Sequence, residues 1–233
     1  MSTPVRSTPP PASSPPADDG FPIVPDELVE AVLVTDPEFF LAIKADRDRE
    51  QRGWRDEMWE GIYVMSPDAN FEHQVFVGGL VIAFGSIREQ VGGAYILPGL
   101  NVSDRVEGWL KNYRIPDVAV YLPGNPARNC GAHMCGGPDF AVEIISRGDS
   151  ARRKLDFYAK VNTRELLLID RAPWALELYR LTDDQLVRIG ISTSDKPDVL
   201  ASQVLPMTFR LGAGEGRPTI EVARSDGGQV WRI

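Results

Sequence analysis

The chain has 233 residues, of which 43% are hydrophobic and 25% charged, as in an ordinary globular protein. Its net charge of -8 weighs against strong non-specific binding of nucleic acid, because phosphate neutralisation by basic side chains supplies most of that affinity. There is no run of about 18 apolar residues, no signal-peptide pattern, and too few cysteines for a disulfide framework. These features predict a cytoplasmic protein without a membrane span.

The start of the chain is predicted to be a tail. Residues 1–20 are dominated by Pro, Ser and Thr and cannot bury enough apolar area to offset their ordering entropy, so we expect them to be disordered. Residues 21–233 are expected to form a single domain with a C-terminal β extension from about residue 186. The first predicted helix covers residues 36–50, with Asp36 as its N-cap.

A strand and a long helix are predicted next. Residues 60–66 alternate between apolar and polar side chains, which indicates a strand. A helix is predicted from Asn70 to Gln90, because apolar side chains recur there with a period of 3.6 residues. The side chains of its apolar stripe are His73, Val77, Leu80, Phe84, Ile87 and Val91.

The rest of the chain combines short strands with one more helix. Strands are predicted at 94–97, 100–103, 116–122, 139–146, 165–170 and 175–181, with a loop at 123–138 and a helix at about 150–162. Beyond residue 186, Pro and Gly predict only shorter strands. This order predicts a mixed α/β (α+β) fold, in which a central mixed β-sheet is flanked by helices.

Two carboxylates interrupt strands that are otherwise apolar. Side chains alternate along a strand, so Asp117 shares a face with Ala119, and Glu143 shares one with Ala141. An unpaired buried carboxylate costs several kcal/mol and persists only where a cation, a donor or water compensates. Two simpler interpretations stay open: Asp117 caps the strand after Pro116, and Glu143 faces water on an edge strand.

A lysine interrupts the apolar face of the next predicted helix. The spacing of about 100° per residue places Lys154 between Tyr158 and Val161. Such a lysine either extends to the edge of the stripe or points toward Asp117 and Glu143.

Two acids and a lysine in this arrangement suit phosphodiester hydrolysis. Carboxylate oxygens bind Mg²⁺, which keeps several waters and binds substrate phosphate. The ion lowers the pKa of its water, and a nearby lysine orients that water or stabilises the transition state. Asp117 and Glu143 are therefore predicted metal ligands, and Lys154 a predicted catalytic residue.

These residues resemble the motif of the PD-(D/E)XK nuclease superfamily and, within it, a bacterial family of restriction endonuclease-like proteins. Pro116–Asp117 and Glu143–Ile145 match the motif, except that isoleucine stands where the motif has lysine. Family members commonly carry the lysine on the following helix, and Lys154 matches that displaced position. The resemblance runs from about residue 36 to the C-terminus.

An upstream segment carries the same resemblance. The stretch RDEMWEGIYVMSPDANFEHQ is similar to the opening of the family's domain. By that match Glu57 corresponds to an acidic residue near the active site, and His73 to a histidine at a helix start, with a structural role or a supporting one. Glu60 competes with Glu57, because both flank the same predicted strand. One departure is Arg147, which stands where the family usually has proline.

The resemblance implies a restriction endonuclease-like core and a DNA endonuclease that uses Mg²⁺ or Mn²⁺. The site would contain Asp117, Glu143, Lys154 and Glu57, and a homodimer follows by analogy with restriction enzymes. The alternative is a catalytically inactive nuclease-fold module that acts in binding or regulation, which the acidic charge and Arg147 favour. The residues do not separate DNA from RNA, because such a metal site acts on the phosphate.

Two further features give weaker hypotheses. Residues 147–160 are locally net basic and could meet phosphate, although a solvated helix face explains them nearly as well. Cys130, His133 and Cys135 form a C-x-x-H-x-C cluster, whereas structural zinc requires four ligands at commoner spacings.

Overall fold

A computed structural model describes residues 33–34, 37–50, 53–66, 69–145 and 151–233 of the chain. The predicted tail at residues 1–20, the N-cap Asp36 and the departure at Arg147 lie outside these ranges. No helix within them is long and apolar enough to cross a bilayer.

The described helices are short. They are α1 (Pro37–Arg49), α2 (Phe71–Gly85) and α3 (Leu155–Lys160), with 3₁₀ turns at Trp109–Lys111 and Ala151–Lys154. The Asn70 side chain caps α2 by accepting the His73 backbone N–H at 2.9 Å.

Strands make up most of the remaining regular structure. In chain order they are β1 (Leu33–Val34), β2 (Glu57–Trp59), β3 (Ile62–Val64), β4 (Tyr95–Pro98), β5 (Val102–Ser103), β6 (Tyr113–Arg114), β7 (Val118–Tyr121), β8 (Arg128–Asn129), β9 (Met134–Cys135), β10 (Phe140–Ile145), β11 (Glu165–Arg171), β12 (Trp174–Thr182), β13 (Gln185–Thr193), β14 (Leu200–Ala201), β15 (Met207–Gly212), β16 (Thr219–Arg224) and β17 (Val230–Arg232).

The central sheet has six strands in the order β13-β12-β11-β10-β7-β4. Strands β10 and β11 run parallel, while the other neighbours are antiparallel. A second sheet has the order β1-β3-β2-β6-β5-β9-β8, and β14 to β17 form a C-terminal antiparallel sheet. The predicted fold class, a mixed sheet with flanking helices, is confirmed.

The side chains of β10 alternate between the two faces of the sheet and so contribute to two separate cores. Helix α2 and the C-terminal sheet cover the face that carries Val142, and α3 covers the face that carries Ala141. The first core includes Phe76, Leu80, Phe84, Val118, Phe140, Val142, Ile144, Phe209 and Ile220. The second includes Ala141, Phe157, Tyr158, Val161, Leu166 and Leu168. The sequence pattern thus places Glu143, like Ala141, on the α3 face.

The helix predicted to end at Gln90 ends at Gly85 instead. Residues 86–92 continue as turns, in which the Val91 N–H donates to the Ile87 carbonyl at 3.0 Å. Because these turns continue the winding of the chain, Ile87 is still buried. The apolar periodicity therefore extends beyond the end of the helix.

The single strand predicted at residues 60–66 is wrong. Strands β2 and β3 form a hairpin there, and Glu60 and Gly61 occupy its turn with φ of 46° and 87°. Two successive residues with positive φ are typical of tight hairpin turns. Glu57 therefore lies in β2, whereas Glu60 lies in the turn.

Two more local expectations are corrected. Residues 123–138 contain the short pair β8 and β9, and β13 is a nine-residue strand where only shorter strands were expected. Gly190 lies in β13 where the pairing with β12 shifts register at a β-bulge, between Leu178 and Tyr179. A Cβ atom at Gly190 would lie 2.7 Å from the Leu200 side chain, so the glycine also permits close packing against β14.

Candidate active site

A buried lysine joins two acids on the α3 face of the sheet. Glu143 lies within β10, and Lys154 ends the 3₁₀ turn that leads into α3. The Lys154 Nζ atom is 2.9 Å from Glu143 Oε2 and 2.9 Å from Glu57 Oε1. Relative exposures are 6% for Lys154, 2% for Glu143 and 1% for Glu57. The lysine therefore turns into the protein instead of extending to the edge of its helix.

Glu57 is fixed by one donor that directly follows β6 and by one from its own strand. Its Oε1 accepts the Ile115 N–H at 2.8 Å, and its Oε2 accepts the Trp59 indole N–H at 2.7 Å. Glu60, in contrast, is exposed and binds Arg105 at 3.0 Å. Of the two competing acids, Glu57 is the one that contacts Lys154.

Tyr158 holds the other end of Glu143. Its hydroxyl donates to Glu143 Oε1, and Lys154 donates to Oε2. Burial, together with the negative charges of Glu143 and Glu57, raises the pKa of Tyr158 well above its ordinary value. The phenol therefore stays protonated and remains a donor to the carboxylate.

Replacing Tyr158 by phenylalanine is expected to lower the free energy of unfolding by about 1.5 to 3 kcal/mol, because a buried carboxylate loses a hydrogen bond. Urea denaturation measures the change. Tyr121→Phe is the matched control, since Tyr121 is also buried but lies 3.4 Å from its acceptor, the Gly136 carbonyl. Equal losses in the two variants would contradict a special contact at Glu143.

Asp117 lies beside Glu143 across the sheet. It directly precedes β7, and the pairing of Val118 with Val142 places it opposite Glu143. Its N–H donates to the Val142 carbonyl at 3.0 Å, and its Oδ2 accepts the Ile144 N–H at 2.7 Å. Both predicted metal ligands thus belong to one strand pair.

Two side chains, Arg55 and His73, bind the Oδ1 atom of Asp117. Arg55 donates to Oδ1, and His73 Nε2 lies 3.0 Å from the same atom. Burial alone would raise the pKa of Asp117, but the His73 hydrogen bond and the charges of His73 and Arg55 outweigh it and lower the pKa below its ordinary value. Asp117 is therefore held as a carboxylate.

Two arginines of this region, Arg55 and Arg114, were not among the predicted site residues. Arg114 is 6% exposed, and its guanidinium lies 4.5 Å from the Trp59 ring centroid and 4.3 Å from that of Phe157. Burial lowers its pKa, against the raising effect of the Glu57 charge. Their places in the sequence could have indicated them, because each arginine stands beside aromatic or apolar residues. Arg55 follows Trp54 just before β2, and Arg114 lies between Tyr113 and Ile115.

The turn that carries Lys154 is anchored by Arg152. The Arg152 guanidinium binds Asp170 at 2.8 Å and also binds Glu177. Glu177 in addition accepts the Tyr179 hydroxyl at 2.6 Å. These contacts join the 3₁₀ turn to β11 and β12, and so fix the segment from which Lys154 projects.

Replacing Glu177 by glutamine is expected to destabilise the fold at neutral pH by about 1.5 to 3 kcal/mol, because charged hydrogen bonds are lost. Burial opposes ionisation of Glu177, but the Tyr179 and Arg152 hydrogen bonds prevail and lower its pKa from 4.5. Its contribution is then present above about pH 4.5 and is lost as pH falls through the lower folded value. Denaturation at several pH values should show the two proteins converging in acid, and a constant difference would contradict this role.

Across the described ranges, the candidate site included, no three His, Cys, Asp or Glu side chains group closely enough to hold a metal ion. His133 stacks on Trp109 at 4.6 Å and its Nε2 lies 3.1 Å from the Arg105 carbonyl, while Cys130 and Cys135 are free thiols. The histidine of the C-x-x-H-x-C cluster, His133, therefore packs against Trp109.

Comparison with known proteins agrees with this architecture. The model of the Uma2 family, described as putative restriction endonuclease, matches residues 37–214. Among solved structures, the chain is similar to a crystal structure of a putative nuclease belonging to DUF820 from Anabaena variabilis ATCC 29413. That likeness has a TM-score of 0.50 and 20% identity over 63% of this chain and 80% of that chain. A search of curated proteins found no match.

The mixed sheet with its flanking helices defines a restriction endonuclease-like fold. Because the family model spans most of the sequence, the chain belongs to the Uma2 family of putative restriction endonucleases.

Proposed function

We propose that this protein is a metal-dependent nuclease that hydrolyses DNA phosphodiester bonds at a site formed by Asp117, Glu143, Lys154 and Glu57. The observation that carries the proposal is the buried Lys154 amine, 2.9 Å from both Glu143 and Glu57 and one strand pair away from Asp117. Buried ion pairs rarely improve stability over apolar residues of similar volume. A chemical role explains why this one is present.

The donor set fits Mg²⁺. Asp117 and Glu143 supply hard carboxylate oxygens on neighbouring strand positions. Protein sites for Mg²⁺ use one or two carboxylates, completed by water and substrate phosphate, so a third acidic ligand is not required. Mn²⁺ accepts the same oxygen ligands. When bound, the ion supplies an acidified water and offsets charge on the phosphate.

The protein's own groups have separable roles in this proposal. Lys154 places a positive charge where negative charge develops on the phosphate during hydrolysis. Glu57 and Tyr158 fix the positions of Lys154 and Glu143 through direct contacts. Arg55 and His73 keep Asp117 ionised and hold its orientation.

Cleavage assays on two substrates test the proposal. Supercoiled plasmid and a single-stranded circle are incubated with Mg²⁺, with Mn²⁺ or with EDTA. We expect cleavage with either metal and none with EDTA. Equal activity with and without metal, or no cleavage of either substrate, would contradict it. Sedimentation velocity on the same preparation tests the homodimer expected by analogy.

A second candidate is a nuclease-fold module that binds DNA without cleaving it. The contacts of Arg55 and His73 with Asp117 favour this candidate, because a metal ion would compete with them for the carboxylate. Binding of DNA together with the absence of cleavage under both metals would support it over the nuclease.

A further inference from the structure

An exposed tryptophan lies beside the candidate active site. Trp54 is 63% exposed, although the guanidinium of Arg55 lies over its ring at 4.6 Å from the centroid. Arg55 covers one face of the indole and Gly99 lies near one ring edge, yet most of the residue stays exposed. A planar apolar surface of this kind is available for stacking.

The tryptophan is carried by an anchored turn. The Asp56 N–H donates to the Gly53 carbonyl at 2.9 Å, which closes the turn around Trp54. The Asp56 carboxylate then binds Arg47 at 2.6 Å and accepts the Ser66 N–H at 2.8 Å. These contacts fix the backbone of the turn, and the Arg55 guanidinium over the ring restrains the indole.

A single side chain, that of Arg55, connects Trp54 to the candidate active site. The guanidinium that stacks on its ring also donates to Asp117. A solitary exposed apolar residue is ordinary on a protein surface. Here, however, the ring lies on the guanidinium that orients Asp117, so a phosphate bound at the proposed metal site would lie near Trp54.

The electrostatics favour stacking over phosphate binding. The chain carries a net charge of -8. Within the described part of the basic segment predicted from the sequence, Arg152 binds Asp170 and Lys160 binds Asp104 at 2.7 Å, so both cations are paired. Duplex DNA is held mainly through phosphate neutralisation, whereas unpaired bases gain affinity by stacking on aromatic side chains.

We propose that Trp54 stacks on an unpaired nucleobase next to the scissile phosphate, so that the site acts on single-stranded or locally unpaired DNA. The inference rests on the proposed nuclease function, because that function is what places a scissile phosphate near Trp54. The stacking itself is a binding property that does not require catalysis.

Binding measured without turnover tests the inference. Fluorescence anisotropy follows a short labelled oligothymidylate, and the same strand paired with its complement, in EDTA. We expect Trp54→Ala to weaken single-strand binding about ten-fold or more, and Trp54→Phe to retain most of it. Tyr95→Ala is the matched control, because Tyr95 is similarly exposed at 65% but lies on the edge strand β4.

The outcomes separate this inference from the nuclease proposal. Equal effects of Trp54→Ala and Tyr95→Ala, or duplex bound as tightly as the single strand, would overturn the stacking site whatever the cleavage assays show. Loss of single-strand affinity confined to Trp54→Ala supports it. Should wild-type protein also fail to cleave, the nuclease proposal falls while the base-stacking site stands.

Discussion

Replacing Lys154 by methionine is expected to lower the free energy of unfolding by about 3 to 5 kcal/mol and to remove detectable cleavage. The amine is 2.9 Å from both Glu57 and Glu143, and all three groups are buried. Methionine matches the length of the lysine stem but removes the amine that binds both buried carboxylates. Chemical denaturation and single-turnover cleavage measure the two effects.

Lys160→Met is the control for Lys154→Met. Lys160 belongs to the adjoining helix α3, and its side chain is 56% exposed while it binds Asp104 and Glu60. Because the lysine of these pairs is exposed to solvent, although Asp104 is not, we expect its loss to cost only about 1 kcal/mol. If both variants lost similar stability, or if Lys154→Met cleaved at the wild-type rate, the proposed role of the buried lysine would be wrong.

Replacing Asp117 by asparagine is expected to reduce cleavage about 10²- to 10³-fold and to weaken Mn²⁺ binding. The substitution preserves shape but removes the negative charge that a divalent ion requires. It also leaves Arg55 and His73 facing a neutral amide. Mn²⁺ titration followed by electron paramagnetic resonance reports binding independently of cleavage.

Asp139→Asn controls for the removal of a buried carboxylate. Asp139 directly precedes β10, where it accepts the Leu122 N–H at 2.8 Å and binds Arg164. We expect this variant to lose stability yet keep its Mn²⁺ affinity. Wild-type cleavage by Asp117→Asn would remove Asp117 from the list of metal ligands, even if the protein proved to be a nuclease.

The corrections to the predicted elements share a cause. The helix starting near Asn70 and the strand at Phe140–Ile145 were predictable, because their side-chain periodicities are local properties of the sequence. The hairpin at Glu60 and the length of β13 were not, because backbone conformation in a turn and pairing with β12 depend on contacts outside the local pattern. Local periodicity indicates which face is buried but not where pairing stops.

The sequence by itself determined that Asp117, Glu143 and Lys154 interrupt apolar patterns, and therefore that burying them requires compensation. Only the tertiary structure decided which groups compensate them. Glu57 reaches Lys154 from a hairpin far away in the chain, and Arg55 and His73 reach Asp117 from two further segments. Alternation along a strand fixes the direction of a side chain, whereas its partner is set by long-range strand pairing and helix packing that no short window of sequence contains.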